Sequence, residues 1–347
     1  MPSWSAARQR VVLAALLALF AVTILVSLMI GATGPILGAR GIGQMSFRDF
    51  FDALLGTGQS DYMGIIIDVR FPRILLAALV GCALAVSGCT MQALFRNPLA
   101  DPYLLGISSG AAVGASASML LHLNGIETYI LPLFAFLGGA GAVFAVYLIA
   151  KGAGRGRIKT ETLLLSGIAV GSLLGALTSL MMYVSGMQFR SLFFWLLGGF
   201  SGAGWDTVAV ACLPILAGVV LLILFARDMN AFLLGEEPAM HLGIDVETVK
   251  KVLVCLVALI TGVAVAFSGI IGFVGLVIPH AVRLMLGPDH RTLLPASCLV
   301  GGSFLIWADV VARSALGSGG TEVPVGIVTA LCGAPFFLYL LARGRKW

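Results

Sequence analysis

Residues 227–251, RDMNAFLLGEEPAMHLGIDVETVKK, form a charged island between two long apolar halves of the chain. The run before it, Val208 to Ala226, and the run after it, Val252 to Phe267, contain no charged residue. Neither run gains from facing water, whereas the island does. Read this way, the chain is a set of membrane helices joined by short polar connections.

Composition agrees. Of 347 residues, 59% are hydrophobic and 11% charged, with 44 glycines and a mean hydropathy of +1.05, far from the balance of a water-soluble domain. A bilayer core needs about 20 apolar residues per helix, so a chain of this length supplies roughly eight to twelve spans and no soluble domain. Ten apolar runs stand out: Val11 to Ile30, Ile74 to Leu94, Leu104 to Leu123, Ile130 to Ala150, Leu163 to Val184, Val208 to Ala226, Val252 to Phe267, Gly272 to Leu286, Leu293 to Ala312 and Val323 to Leu341. A shorter piece, Leu192 to Phe200, is expected to lie at the interface or re-enter beside the fifth span. The first run follows Arg8 and Arg10 like a signal peptide, but its length exceeds the usual apolar core of one, so it counts as a span.

The formal charge of +5 does not call for nucleic acid. With the N-terminus inside, fifteen of the 21 Lys and Arg residues fall in cytoplasmic segments. Arg40, Arg48, Arg70, Arg73, Arg190 and Arg313 fall outside. That bias, with an even number of spans, predicts both termini and the 227–251 island in the cytoplasm.

A spacing recurs. Ser87-Gly88 is followed ten residues later by Pro98, and Ser268-Gly269 ten residues later by Pro279, in spans of opposite direction. This predicts an inverted repeat within one membrane domain over 1–347, its halves at about 70–200 and 250–345. Asn97-Pro98 and Asp101-Pro102 in one half, and Gly269, Gly272, Gly275 and Pro279 in the other, predict broken helices. Broken backbone at membrane depth must face a pathway or a packed interface. Close helix approach is the simpler reading of any single glycine.

No motor or catalytic centre is legible. None of the five lysines completes a phosphate-binding loop, and no H-E-x-x-H occurs. The four histidines form no i, i+4 pair, and the six cysteines fall singly in apolar runs, so no catalytic residue and no metal site is expected. Asp309, the one acid well inside a span, has Arg313 four residues on and reads as its local ion pair.

Several stretches carry a family resemblance: RFPR at 70–73, Ser87-Gly88, MQAL at 91–94, RNPLADP at 96–102, LGISSG at 105–110, GFVGLVIPH at 272–280, ADVVAR at 308–313, and EVPVGIVTA at 322–330 with GAP at 333–335. In this order they resemble the permease subunits of ABC importers for iron-siderophores, haem and cobalamin. The resemblance implies an all-α, ten-span subunit of a bacterial inner membrane that pairs with a second copy around a central path. Two ATP-binding cassette subunits lie below, carrying ATP and Mg²⁺ since this chain holds no cofactor, and a periplasmic binding protein delivers a metal chelate from above. The remaining partner is membrane lipid.

Site residues follow from the resemblance. Arg70, Arg73 and Arg313 match outer arginines that receive glutamates of the binding protein, a task suited to a planar guanidinium; snorkelling to headgroups is the alternative. Leu234, Gly235, Glu236, Glu237, Pro238, Ala239, Met240, His241, Leu242 and Gly243 match the coupling helix that docks on the ATPase. Pro238 is expected to open this helix, the two acids to suit its N-terminal end and Gly243 to stop it; a helix resting on the membrane surface is the alternative.

On the fifth span, Ser166, Gly167, Gly171, Ser172, Gly175, Thr178 and Ser179 form a small, mildly polar face fit for a path or for close packing. The resemblance puts this span and its approach at Thr160 and Thr162 on the path and its inner gate. An iron-siderophore or haem is the first expectation for cargo. Cobalamin is the alternative, since Trp195 to Phe200 (WLLGGF) resembles cobalamin permeases. An ion-coupled carrier is a rival from another class, opposed by the scarcity of intramembrane acids.

Overall fold

The computed structural model describes residues 6–30, 63–121, 127–154, 159–186, 189–314 and 322–342. Several basic residues used for the topology, among them Arg40, Arg48, Arg155, Arg157 and Arg343, lie outside these. The described residues form helices α1 (Ala6–Met29), α2 (Phe71–Phe95), α3 (Ile107–Leu120), α4 (Glu127–Ala153), α5 (Thr160–Val184), α6 (Phe189–Leu196), α7 (Trp205–Leu224), α8 (Ala226–Phe232), α9 (Glu236–His241), α10 (Val246–Ser268), α11 (Val274–Leu286), α12 (His290–Ser314) and α13 (Val325–Ala342). Among them seven are long and apolar enough to cross a bilayer, and α3, α11 and α13 are shorter apolar helices. The ten expected spans thus each find a helix, offset by a few residues.

α2 is the axis of the bundle. It is apolar all round, and nearly nine-tenths of its span is buried, against about a fifth of α5; a helix without a polar face belongs inside. A π-helical turn, Ile65–Arg70, leads into it. Close approach rather than bulk sets its packing. A Cβ on Gly88 would overlap the Gly275 carbonyl of α11, so only glycine lets these two backbones meet. Its 25 residues span about 37 Å, long enough to join the two ends of the molecule where the functional residues collect.

The chain breaks where expected in the first half, at residues 96–106, which include a 3-10 turn over Pro102–Leu105. In the second half the break is narrower than the sequence implied. Only residues 269–273 leave the helix, and Gly275 and Pro279 lie inside α11. The carbonyl that Pro279 leaves without an intrahelical donor, that of Gly275, faces Gln92 Nε2 at 3.4 Å, with Leu276 O at 3.2 Å. The two breaks pack on each other: Tyr103 Oη donates to Ile271 O at 3.0 Å. The turn after α6 ties the second break to the start of α13, Gly199 N donating to Ser268 O at 2.8 Å and Val325 N to Gly198 O at 2.9 Å. Unwound backbone thus finds partners in a neighbouring side chain and turn, and the breaks form a packed interface.

Candidate functional site

Two clusters stand at opposite ends of α2. At its C-terminal end lie α8 and α9, the two short helices of the 227–251 island. α9 starts at Glu236, not at Pro238, which sits inside the first turn where its missing N–H costs nothing. Glu236 and Glu237 occupy that turn as expected. The helix ends in a Schellman motif: Gly243, at φ +83°, donates to Met240 O at 2.9 Å, and Ile244 N to Ala239 O at 3.2 Å. Ala239 is buried, whereas Leu234, Met240 and Leu242 are more than half exposed, with His241 and Gly243 beside them at the surface. The expected coupling helix is therefore a short, firmly capped projection with an apolar tip.

Its root is ionic. Lys250 Nζ of α10 lies 2.7 Å from Glu236 Oε1, and Thr160 Oγ1, at the start of α5, donates to the same oxygen at 3.4 Å. One carboxylate thus joins the expected coupling helix to the expected gate approach. Thr162 does not take part, because its hydroxyl turns back to Lys159 O at 2.9 Å. Next to it, Asp245 caps α10, and the hydroxyl and N–H of Thr248 hold its carboxyl below the usual carboxylate range. α8 is fixed separately: Asn230 donates to Asp289 Oδ1 at 2.7 Å and accepts from His290 N at 2.9 Å, satisfying a first-turn donor of α12.

The small face of α5 divides in two. Ser166, Gly167 and Thr178 are buried, and a Cβ on Gly167 would overlap the Leu104 carbonyl of the 3-10 turn. Gly171 lies beside Ser109 of α3. Ser172 and Ser179 are exposed, and Gly175 has open space before it. The inner strip packs the protomer, and only the outer strip is free to line anything.

At the N-terminal end of α2 the three arginines are brought together, but inward. Arg73 meets two carboxylates. Its Nε and Nη2 reach Asp309 at 2.8–3.1 Å, and its Nη1 and Nη2 reach Glu322 at 2.8 and 2.7 Å. Asp309 is therefore mainly the partner of Arg73, with Arg313 Nε farther off at 3.4 Å, which corrects the purely local pairing expected for it. Arg70 donates to Leu28 O at 2.7 Å and Arg313 to Ser27 O at 3.1 Å, both tying in the end of α1. The Arg73 side chain is 12% exposed, and Arg70 and Arg313 are 5% exposed, so none is held out to solvent. Beside them opens a cavity of about 850 Å³ lined by Arg73, Phe194, Trp195, Phe267, Ser268 and Glu322 among others. No residue of α5 lines it.

The sequence reading missed Lys250, Glu322, Asn230 and Gln92. Each is an ordinary polar residue whose partner lies beyond its own helix, so only Gln92 and Glu322 carried a signal, as members of quoted motifs.

With this geometry in hand, comparison with known proteins is decisive. Residues 19–343 match the model of the FecCD transport family. The chain belongs to that family. Among relatives, it is 50% identical over 282 residues to the cobalamin import system permease protein BtuC of Halobacterium salinarum, covering 81% of this chain and 74% of that protein. It is 43% identical over 315 residues to the hemin transport system permease protein HmuU of Yersinia pestis, covering 89% and 92%. A solved inward-facing structure of a metal-chelate type ABC transporter superposes with a TM-score of 0.82 at 32% identity, covering 96% of this chain and 99% of that one. This FecCD-family chain is thus a multi-pass ABC importer permease, a transport subunit.

Proposed function

We propose that this chain is the membrane subunit of an ATP-driven importer for a large macrocyclic metal chelate, with cobalamin ahead of haem and iron-siderophores third. The observation that carries the reading is the 50% identity to a permease named for cobalamin, beside the 43% identity to one named for hemin. That order reverses the sequence expectation, which put iron complexes first.

In this reading both termini and α9 face the cytoplasm of a bacterial cell, in its inner membrane. The apolar tip of α9, Leu234, Met240 and Leu242, seats in one of two ATPase subunits, which hold ATP and Mg²⁺. A second copy pairs along the exposed side of α5, so that Ser172, Gly175 and Ser179 border the path. A periplasmic binding protein docks on the opposite face. There Arg70, Arg73 and Arg313 act first as a brace, and Arg73 becomes available to a partner carboxylate only when Glu322 releases it. Affinity for the chelate resides in the binding protein, which leaves the permease a weakly interacting conduit.

Proteoliposomes holding the chain and its cognate ATPase test this with cyanocobalamin or hemin delivered by the cognate binding protein. Uptake of cyanocobalamin that requires internal ATP is expected. Uptake driven by an ion gradient without ATP overturns the importer reading, and uptake of hemin alone reverses the order of substrates.

A further inference from the structure

The Glu236–Lys250 contact adds an ionic link between α9 and α10, which a short turn already joins, and through Thr160 it also reaches α5. Lys250 is 5% exposed on its side chain, whereas Glu236 is 41% exposed and stands on a six-residue helix. The cation is therefore an interior group, and its counter-ion is carried by a surface projection. Thr160 adds the start of α5 to the same oxygen, and Thr160 and Lys250 border one narrow hollow with Leu94 and Phe95 at the end of α2. If α9 were displaced alone, Lys250 would lose this carboxylate while still buried, which is unfavourable for the buried member of the pair. Displacing α9 together with the ends of α10 and α5 keeps the pair. The second route leaves the contact intact, so a push on α9 reaches α5.

We propose that Lys250 is a positioning residue for transport: its ion pair with Glu236, shared with Thr160, is the link that carries motion of α9 to the inner ends of α5 and α10. The proposal rests on α9 being the ATPase contact. α8 is not part of the link, because Asn230 fastens it to the α11–α12 turn instead. The link thus divides the 227–251 island into a fixed part and a driven part.

The test measures transported cyanocobalamin per ATP hydrolysed in the reconstituted complex. Lys250→Met replaces a buried cation by an apolar chain of similar length and leaves Glu236 at the surface, so folding and ATPase assembly are expected to persist. Transport per ATP is expected to fall at least about fivefold, the lower end of ordinary coupling energies. The exchange Glu236→Lys with Lys250→Glu is expected to restore a good part of it, and Lys251→Met, which removes the neighbouring charge, to leave the ratio unchanged. An unchanged ratio in Lys250→Met overturns the link, as does loss of ATPase assembly in that variant, which would make Lys250 a fold support only. The underlying reading is checked apart: if Met240→Asp and Leu242→Asp leave ATPase binding intact, α9 is not the contact, whatever Lys250 does.

Discussion

The two ends of α2 hold charge in opposite ways. At one end Arg73 lies between two carboxylates, and Arg70 and Arg313 cap the backbone of α1, so that four elements of the frame are locked together. At the other end one ion pair joins a frame helix to a small projection with an apolar tip. The first arrangement resists movement because it ties the long helices α1, α2 and α12 to one another. The second joins the long α10 to a helix of only six residues, the arrangement proposed above to transmit movement. Buried charge in a membrane protein therefore has two uses, and the size of the elements it connects distinguishes them.

The contrast predicts stability effects at the Arg73 end and coupling effects at the Glu236 end. The largest should come from Asp309→Asn, which leaves Arg73 and Arg313 short of their buried carboxylate and should cost about 3–5 kcal/mol, read as a lower thermal midpoint in detergent. If that variant is as stable as the parent while Lys250→Met unfolds, the contrast is inverted. Gly88→Val should cost about 1–3 kcal/mol or more by forcing α2 away from α11, measured in the same way. Gln92→Leu removes the acceptor of Arg283 Nη2, at 2.7 Å, and the donor to the carbonyls of Gly275 and Leu276. It should cost about 1–3 kcal/mol. Glu322→Gln should be the mildest, about 0–1 kcal/mol, since this acid is partly exposed and Asp309 remains on Arg73. A loss as large as that of Asp309→Asn would show that both carboxylates are needed for the lock.

Sequence legibility followed the range of the interactions. All ten spans were readable because twenty apolar residues in a row have few other uses, and the break at 96–106 because Asn-Pro and Asp-Pro cannot continue a helix. The second break was read too wide. Pro279 stays helical because Gln92, on another helix, meets the carbonyl it frees, and no local rule contains that information. The short helix of the island was located correctly, but its first residue was not, since Pro is tolerated anywhere in a first turn. The arginines were found and their direction was not: a guanidinium reads the same in sequence whether it faces a partner protein or Asp309.

By itself, then, the sequence determined that this is a many-span membrane protein, that its island is polar, and which family its motifs resemble. Those are properties of composition and of short ordered strings. Only the tertiary structure decided that the three arginines turn inward, that half of the α5 face is packing, and that Glu236 reaches Lys250 and Thr160. These are pairings between residues 14 to more than 200 positions apart, and the chain must be folded before their charges lie within a few ångströms.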